Sequence, residues 1–156
     1  MAEVNVQYIN PFLMSASSII MQTCQVQLGI GKPFLKNAAF GQDSVVIMIG
    51  ITGEMRGQVL VGMDTATACM IASKMMMGMP VAELDDMAIS AISELGNMVM
   101  GNAATIFANQ GIGIDITPPT LCRGSLNLTT SYAQNICIPL SSGEISIELD
   151  VAIRNE

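Results

Sequence analysis

Three observations predict an α/β domain in which an antiparallel sheet is covered by two long helices and a shorter one, with an internal pseudo-two-fold repeat. Residues 85–109 carry the longest helical pattern of the 156-residue chain. Two pairs of short Val/Ile-rich runs, each pair joined by a brief polar turn, read as hairpins. Both halves run in the same order of helix, Gly/Pro break, extended segment and hairpin, which is the mark of a duplication. The chain is one domain, 1–156, with halves at roughly 1–63 and 81–154 and a linking helix at 64–78.

Taken in order, Tyr8 to about Leu28 is apolar at helical spacing through Phe12, Ala16, Ile19, Ile20 and Cys24, and stops at Gly29-Ile-Gly-Lys-Pro33. Val45–Ile51 and Arg56–Met63 form the first hairpin around Thr52-Gly-Glu-Met55. Asp64 is placed to cap a helix that runs to Met77 and ends at Gly78-Met-Pro80. The long helix follows and ends at Gln110-Gly-Ile-Gly113. After Pro118-Pro119, the segments Ala133–Leu140 and Glu144–Arg154 make a second hairpin around Ser141-Ser-Gly143. The last strand alternates, with Ile145, Ile147, Leu149, Val151 and Ile153 on one face and Glu144, Ser146, Glu148, Asp150 and Arg154 on the other. That pattern predicts one buried face and one solvated face.

Composition narrows the function classes. The chain is 51% hydrophobic and 12% charged, with a mean hydropathy of +0.51, so part of its apolar surface is expected to meet a second copy. A net charge of −7 with no Lys/Arg cluster argues against nucleic acid and anionic membrane as partners. There is no histidine, which excludes Ser-His-Asp triads, Cys-His nucleophiles and His bases. Cys24, Cys69, Cys122 and Cys137 are far apart in sequence and read as free core thiols, not as metal ligands. The first residues carry an acid where a signal peptide needs a basic region, and charged or polar residues such as Lys74, Glu94 and Asn97 interrupt every apolar run before the ~18 residues of a membrane span. The expectation is a cytoplasmic protein.

At about 100° per residue, Asp86, Ser90, Ser93, Glu94, Asn97, Gly101 and Thr105 share an arc of roughly 120° on the long helix. Leu84, Ala88, Ile92, Leu95, Val99 and Ile106 centre on the other side. Asn is a poor helix-interior residue and Gly is worse than Ala by about 1 kcal/mol, so Asn97 and Gly101 on the one open stripe point to a use other than helix stability. One carboxylate and one carboxamide a turn apart are able to bind a cation and orient a water on the same patch. Asp85 and Asp86 read as helix-start charges offsetting the macrodipole. The pairs Gly29/Gly31 and Gly111/Gly113 follow helices instead of opening them, so they cradle no phosphate. The fourteen methionines, three of them at 75–77, read first as core filling and second as an adaptable docking surface.

Ser90-x-x-x-Glu94-x-x-Asn97, with Pro118-Pro119 some twenty residues on, resembles the signature of the CheC/CheX family of chemotaxis phosphatases, and the whole layout resembles its single-site CheX branch. The resemblance implies a CheC-like fold and an enzyme that dephosphorylates a CheY-type response regulator, which itself brings the phospho-aspartate and Mg²⁺. It implies that Asn97 orients the attacking water, that Glu94 pairs with the regulator's active-site lysine, and that Ser90 and Gly101 support them. No cofactor or metal of the chain's own is implied, and members of the branch pair as homodimers. Ser15–Gln22 overlays Ser90–Asn97 without a gap, placing Ile19 on Glu94 and Gln22 on Asn97, so the first half is expected to be silent. The competing reading is a non-catalytic CheX-like module that docks a receiver; a third is a structural part of a flagellar-switch-like assembly.

Overall fold

The computed structural model describes residues 6–129, 134–143 and 145–155. The chain opens with helix α1 (Val6–Cys24), three short strands β1 (Gly29–Ile30), β2 (Phe34–Leu35) and β3 (Ala38–Phe40), and a hairpin of β4 (Ser44–Gly53) and β5 (Met55–Asp64). Helix α2 (Thr65–Met75) follows. The order then repeats as α3 (Asp86–Asn109), β6 (Ile114–Ile116), β7 (Thr120–Arg123), β8 (Leu126–Leu128), β9 (Ile136–Ser141) and β10 (Ser146–Asn155). The expected ends of the second hairpin at Ala133 and Glu144 lie outside the described residues.

The main sheet is antiparallel in the order β1-β9-β10-β5-β4-β6, with β2 also on β9 and β7 also on β4. The halves therefore exchange their short strands, each completing the hairpin of the other. β5 and β10 meet at the centre, from Ile147 opposite Met63 to Asn155 opposite Met55, and β3 pairs with its counterpart β8 in a separate ribbon. This is the pseudo-two-fold arrangement that the repeated element order predicts.

One face of the sheet, with Val45, Ile47, Ile49, Val59, Val61, Ile138, Leu149 and Val151, is sealed by the helices into a single core. Period-two alternation puts Val46, Met48 and Leu60 on the other face, where the β3–β8 ribbon covers them through Ala38, Phe40, Leu126 and Leu128. The ribbon sits close because Gly62 has no side chain: a β-carbon there would stand 2.4 Å from Phe40 Cε1. Strands apolar on both faces are thus covered on the second face, around Val46 and Leu60, from within the chain. The solvated face expected for β10 also needs correction, since Asp150 is fully buried.

Helix ends follow local chemistry. Asp64 Oδ1 accepts from Thr67 N at 2.7 Å, so the expected cap of α2 is present, and Asp85, expected only as a helix-start charge, caps α3 by accepting from Ala88 N at 2.9 Å. α1 stops four residues short of Leu28, because Gln25 turns at φ +56° and the chain becomes extended; Leu28 is buried, but from that extended segment. α2 ends at Met75, where Met77 (φ +60°) and Gly78 (φ +86°) reverse the chain and Gly78 N donates to Ser73 O at 2.8 Å. No described helix is long and apolar enough to cross a membrane.

Candidate active site

α3 packs its apolar side on the sheet and on α1. Ala88, Ile92, Leu95, Val99, Ala103 and Phe107 are buried, and Phe107 meets Phe12 edge-to-face at 5.2 Å between ring centroids. Gly96 sets the depth of this packing, because a β-carbon there would stand 2.7 Å from Ile47 Cγ2. The opposite side stays open, so Ser90, Glu94 and Asn97 are all exposed, as the i, i+4, i+7 spacing requires.

That open stripe forms one wall of a groove of about 560 Å³, with Ile89, Ser90, Ser93, Glu94 and Asn97 facing Ile116, Thr117, Pro118 and Pro119. The second wall is anchored from below. Thr117 N donates to Gly50 O at 3.0 Å and Gly50 N donates to Thr117 Oγ1 at 2.8 Å. Upstream, Gly113 N donates to the Glu54 carboxylate and Glu54 N to Gly113 O, which ties the start of the loop to the β4–β5 turn. Gly50 lets the loop sit close, since a β-carbon there would stand 3.2 Å from Thr117 Cγ2 and the Thr117 side chain would have to give way slightly. Pro118 and Pro119 contribute a stiff surface with no N–H donors.

Glu94 is the one charged residue lining the groove. Among the described residues neither its carboxylate nor the Asn97 carboxamide is engaged by another side chain, so both face outward for an incoming group. No second acid, cysteine or histidine lines the groove, so no acid–base carboxyl pair and no nucleophile–base pair is available within it. The arrangement can accept a cation at Glu94 and hold a water at Asn97.

The structure gathers Ser90, Glu94 and Asn97 into the groove with Pro118 and Pro119, and leaves Gly101 outside it, one turn further along α3 with nothing within 4 Å of where its β-carbon would be. Thr117 and Ile116 carry no sequence signal of their own; only the Pro pair beside them marked this loop. The overlaid stripe on α1 has a different environment. Ser15 is buried and its Oγ donates to Val99 O at 2.5 Å, Ile19 is buried in the core, and Gln22 is exposed beside Ser18.

The frame is a pseudo-two-fold α/β domain that holds one carboxylate and one carboxamide open on the groove side of a helix. Residues 45–141 match the family model described as Chemotaxis phosphatase CheX. CheY-P phosphatase CheX of Thermotoga maritima is 31% identical over 153 residues, spanning 97% of this chain and 99% of that protein. Among solved structures, a CheC-like superfamily protein from Shewanella sp. PV-4 matches with a TM-score of 0.86 and 28% identity over 97% of this chain and all of that one. CheX of Borrelia burgdorferi, solved as a CheX–CheY–BeF3–Mg²⁺ complex, matches with a TM-score of 0.82 and 30% identity, again over 97% and 100% of the two chains. The chain belongs to the chemotaxis phosphatase CheX family.

Proposed function

We propose that this protein accelerates hydrolysis of the aspartyl phosphate on a CheY-type response regulator by inserting the exposed stripe of α3 into the receiver's site. The observation that carries this reading is the placement of Glu94 and Asn97 one turn apart on the open wall facing Pro118 and Pro119. The relatives' names point the same way: one is a CheY-P phosphatase, another forms a complex with CheY and Mg²⁺.

An acyl phosphate is already labile, and Mg²⁺ on the regulator offsets its charge, so the remaining work is positioning. The oxygen of the Asn97 carboxamide accepts a hydrogen bond from the attacking water and directs the water oxygen in line with phosphorus. The new O–P bond forms as the bond from phosphorus to the aspartyl oxygen breaks, so the carboxylate leaves and the water's protons end on the inorganic phosphate released. Glu94 pairs with the regulator's active-site lysine and sets the register of the helix. Ser90 supports the groove wall beside Glu94, and the bare surface at Gly101 lets the partner approach α3 closely. No general base is needed, in keeping with the absence of histidine.

Phosphate release from a phosphorylated receiver, measured with and without this protein, tests the reading. A receiver that binds but is dephosphorylated at its intrinsic rate supports instead the docking module. We further propose a homodimer, because Ile30, Phe34 and Leu35 are all about half exposed on the edge strands β1 and β2. A cytoplasmic location follows from the same partner.

A further inference from the structure

Cys137 stands directly opposite Asp150 on the paired strands β9 and β10, and Glu148 lies two residues along β10 on the same face. Alternation places all three on the side of the sheet away from α3, since Ile136, Ile138, Leu149 and Val151 fill the helix-side core. One ligating atom from each of Cys137, Glu148 and Asp150 comes within 4.8 Å of the other two. Cys137 and Asp150 are fully buried, and Asp150 Oδ1 has no hydrogen-bond partner among the described residues. Lys36 brings a cation to the edge of the cluster, with its Nζ 2.8 Å from Glu148 Oε2.

We propose that Cys137, Glu148 and Asp150 bind a divalent cation of the zinc class. A thiolate with two carboxylates suits zinc and disfavours Mg²⁺ and Ca²⁺, which take oxygen ligands alone. Zinc bond lengths of about 2.0–2.3 Å put tetrahedral ligand atoms roughly 3.6 Å apart, so closure needs an inward movement on the order of 1 Å. Glu148, only half-buried, supplies that movement. Asn135 Nδ2 donates to Asp150 Oδ2 at 2.9 Å, the kind of outer hydrogen bond that orients a ligating carboxylate. Of the three ligands, only Glu148 reaches a groove, one of about 330 Å³ that it lines with Phe40, Gly62 and Pro139, so an ion would enter past the Glu148 side chain.

Burial, and then the neighbouring Glu148, push the Asp150 carboxyl up to about 7; burial and both acids push the Cys137 thiol up as well. The cation replaces the protons these groups hold, and those protons pass to the buffer. Lys36 swings out to solvent, into which its side chain already reaches. The site lies on the face away from the phosphatase groove, so it stands or falls independently of the proposed reaction.

The test is titration of chelator-stripped full-length protein with Zn²⁺ by calorimetry and with Co²⁺ by absorbance. Expected are one ion per chain, a heat that varies with the buffer's ionisation enthalpy, and a thiolate-to-cobalt charge-transfer band that Cys137→Ser abolishes. Asn135→Ala should weaken binding about tenfold or more. Lys36→Met, at a partly exposed position and with its fold checked by circular dichroism, should tighten it by removing the competing ammonium. Absence of a one-to-one complex in wild type, a band that survives Cys137→Ser, or a Lys36→Met protein that binds no more tightly overturns the proposal.

Discussion

Gly96 on α3 rests against Ile47 on β4, with room for hydrogen and none for a methyl group: a β-carbon would stand 2.7 Å from Ile47 Cγ2. Gly101, five residues on in the same helix, has open space at the same point. The two glycines should therefore respond oppositely to alanine. Gly101→Ala is expected to stabilise the protein by about 1 kcal/mol through helix propensity alone. Gly96→Ala forces α3 off the sheet and is expected to destabilise by about 1–3 kcal/mol. Urea unfolding of both variants measures the difference, and shifts of the same sign would contradict the packing described.

Asn97→Ala should lower stimulated dephosphorylation about 10²-fold, the scale at which misplacing a reacting group acts. Affinity for the receiver should change little, because water positioning counts mainly in the transition state. Single-turnover phosphate release at saturating protein measures the first effect and calorimetric binding the second. A folded Asn97→Ala protein with full activity would remove Asn97 from the mechanism.

Glu94→Ala should weaken affinity and rate together. Losing one partner of a buried interfacial charge pair costs roughly 2–5 kcal/mol, much of it from leaving the other charge unpaired. Because Glu94 is the one charge lining the groove, no neighbouring acid there can take its place. Unchanged affinity with slower turnover at saturation would assign Glu94 to the chemical step instead.

The first half should be silent. Ile19 is buried where Glu94 is exposed, and Ser15 is spent on the Val99 carbonyl. The double variant Gln22→Ala/Asn97→Ala is expected to match Asn97→Ala in rate. Residual activity that vanishes only with Gln22 would reveal a second working site.

A dimer through the β1–β2 edge predicts about twice the 16.5 kDa chain mass in light scattering at micromolar concentration. Phe34→Glu together with Leu35→Glu should give monomers, since charge on an exposed edge blocks strand addition. A wild-type protein that is monomeric at that concentration rules the arrangement out.

The local pattern alone determined the three helices, the two hairpins, the cap at Asp64, the acidic start of α3 at Asp85 and the polar stripe on α3. Each of these depends on periods and spacings within a few residues. The far wall of the groove was legible only as a Pro pair, because its position depends on Thr117 bonding to Gly50, 67 residues away. Strands of two to four residues such as β1, β2, β3 and β8 show too few residues to reveal a period, and β3 finds β8 across the length of the chain. The same limit hid the fate of Asp150, whose alternation marks a polar face but whose burial is decided by what packs over that face. Which of two overlaid helices stays open is likewise a tertiary outcome: α1 turns Ser15 and Ile19 into the core, and α3 leaves Ser90 and Glu94 exposed.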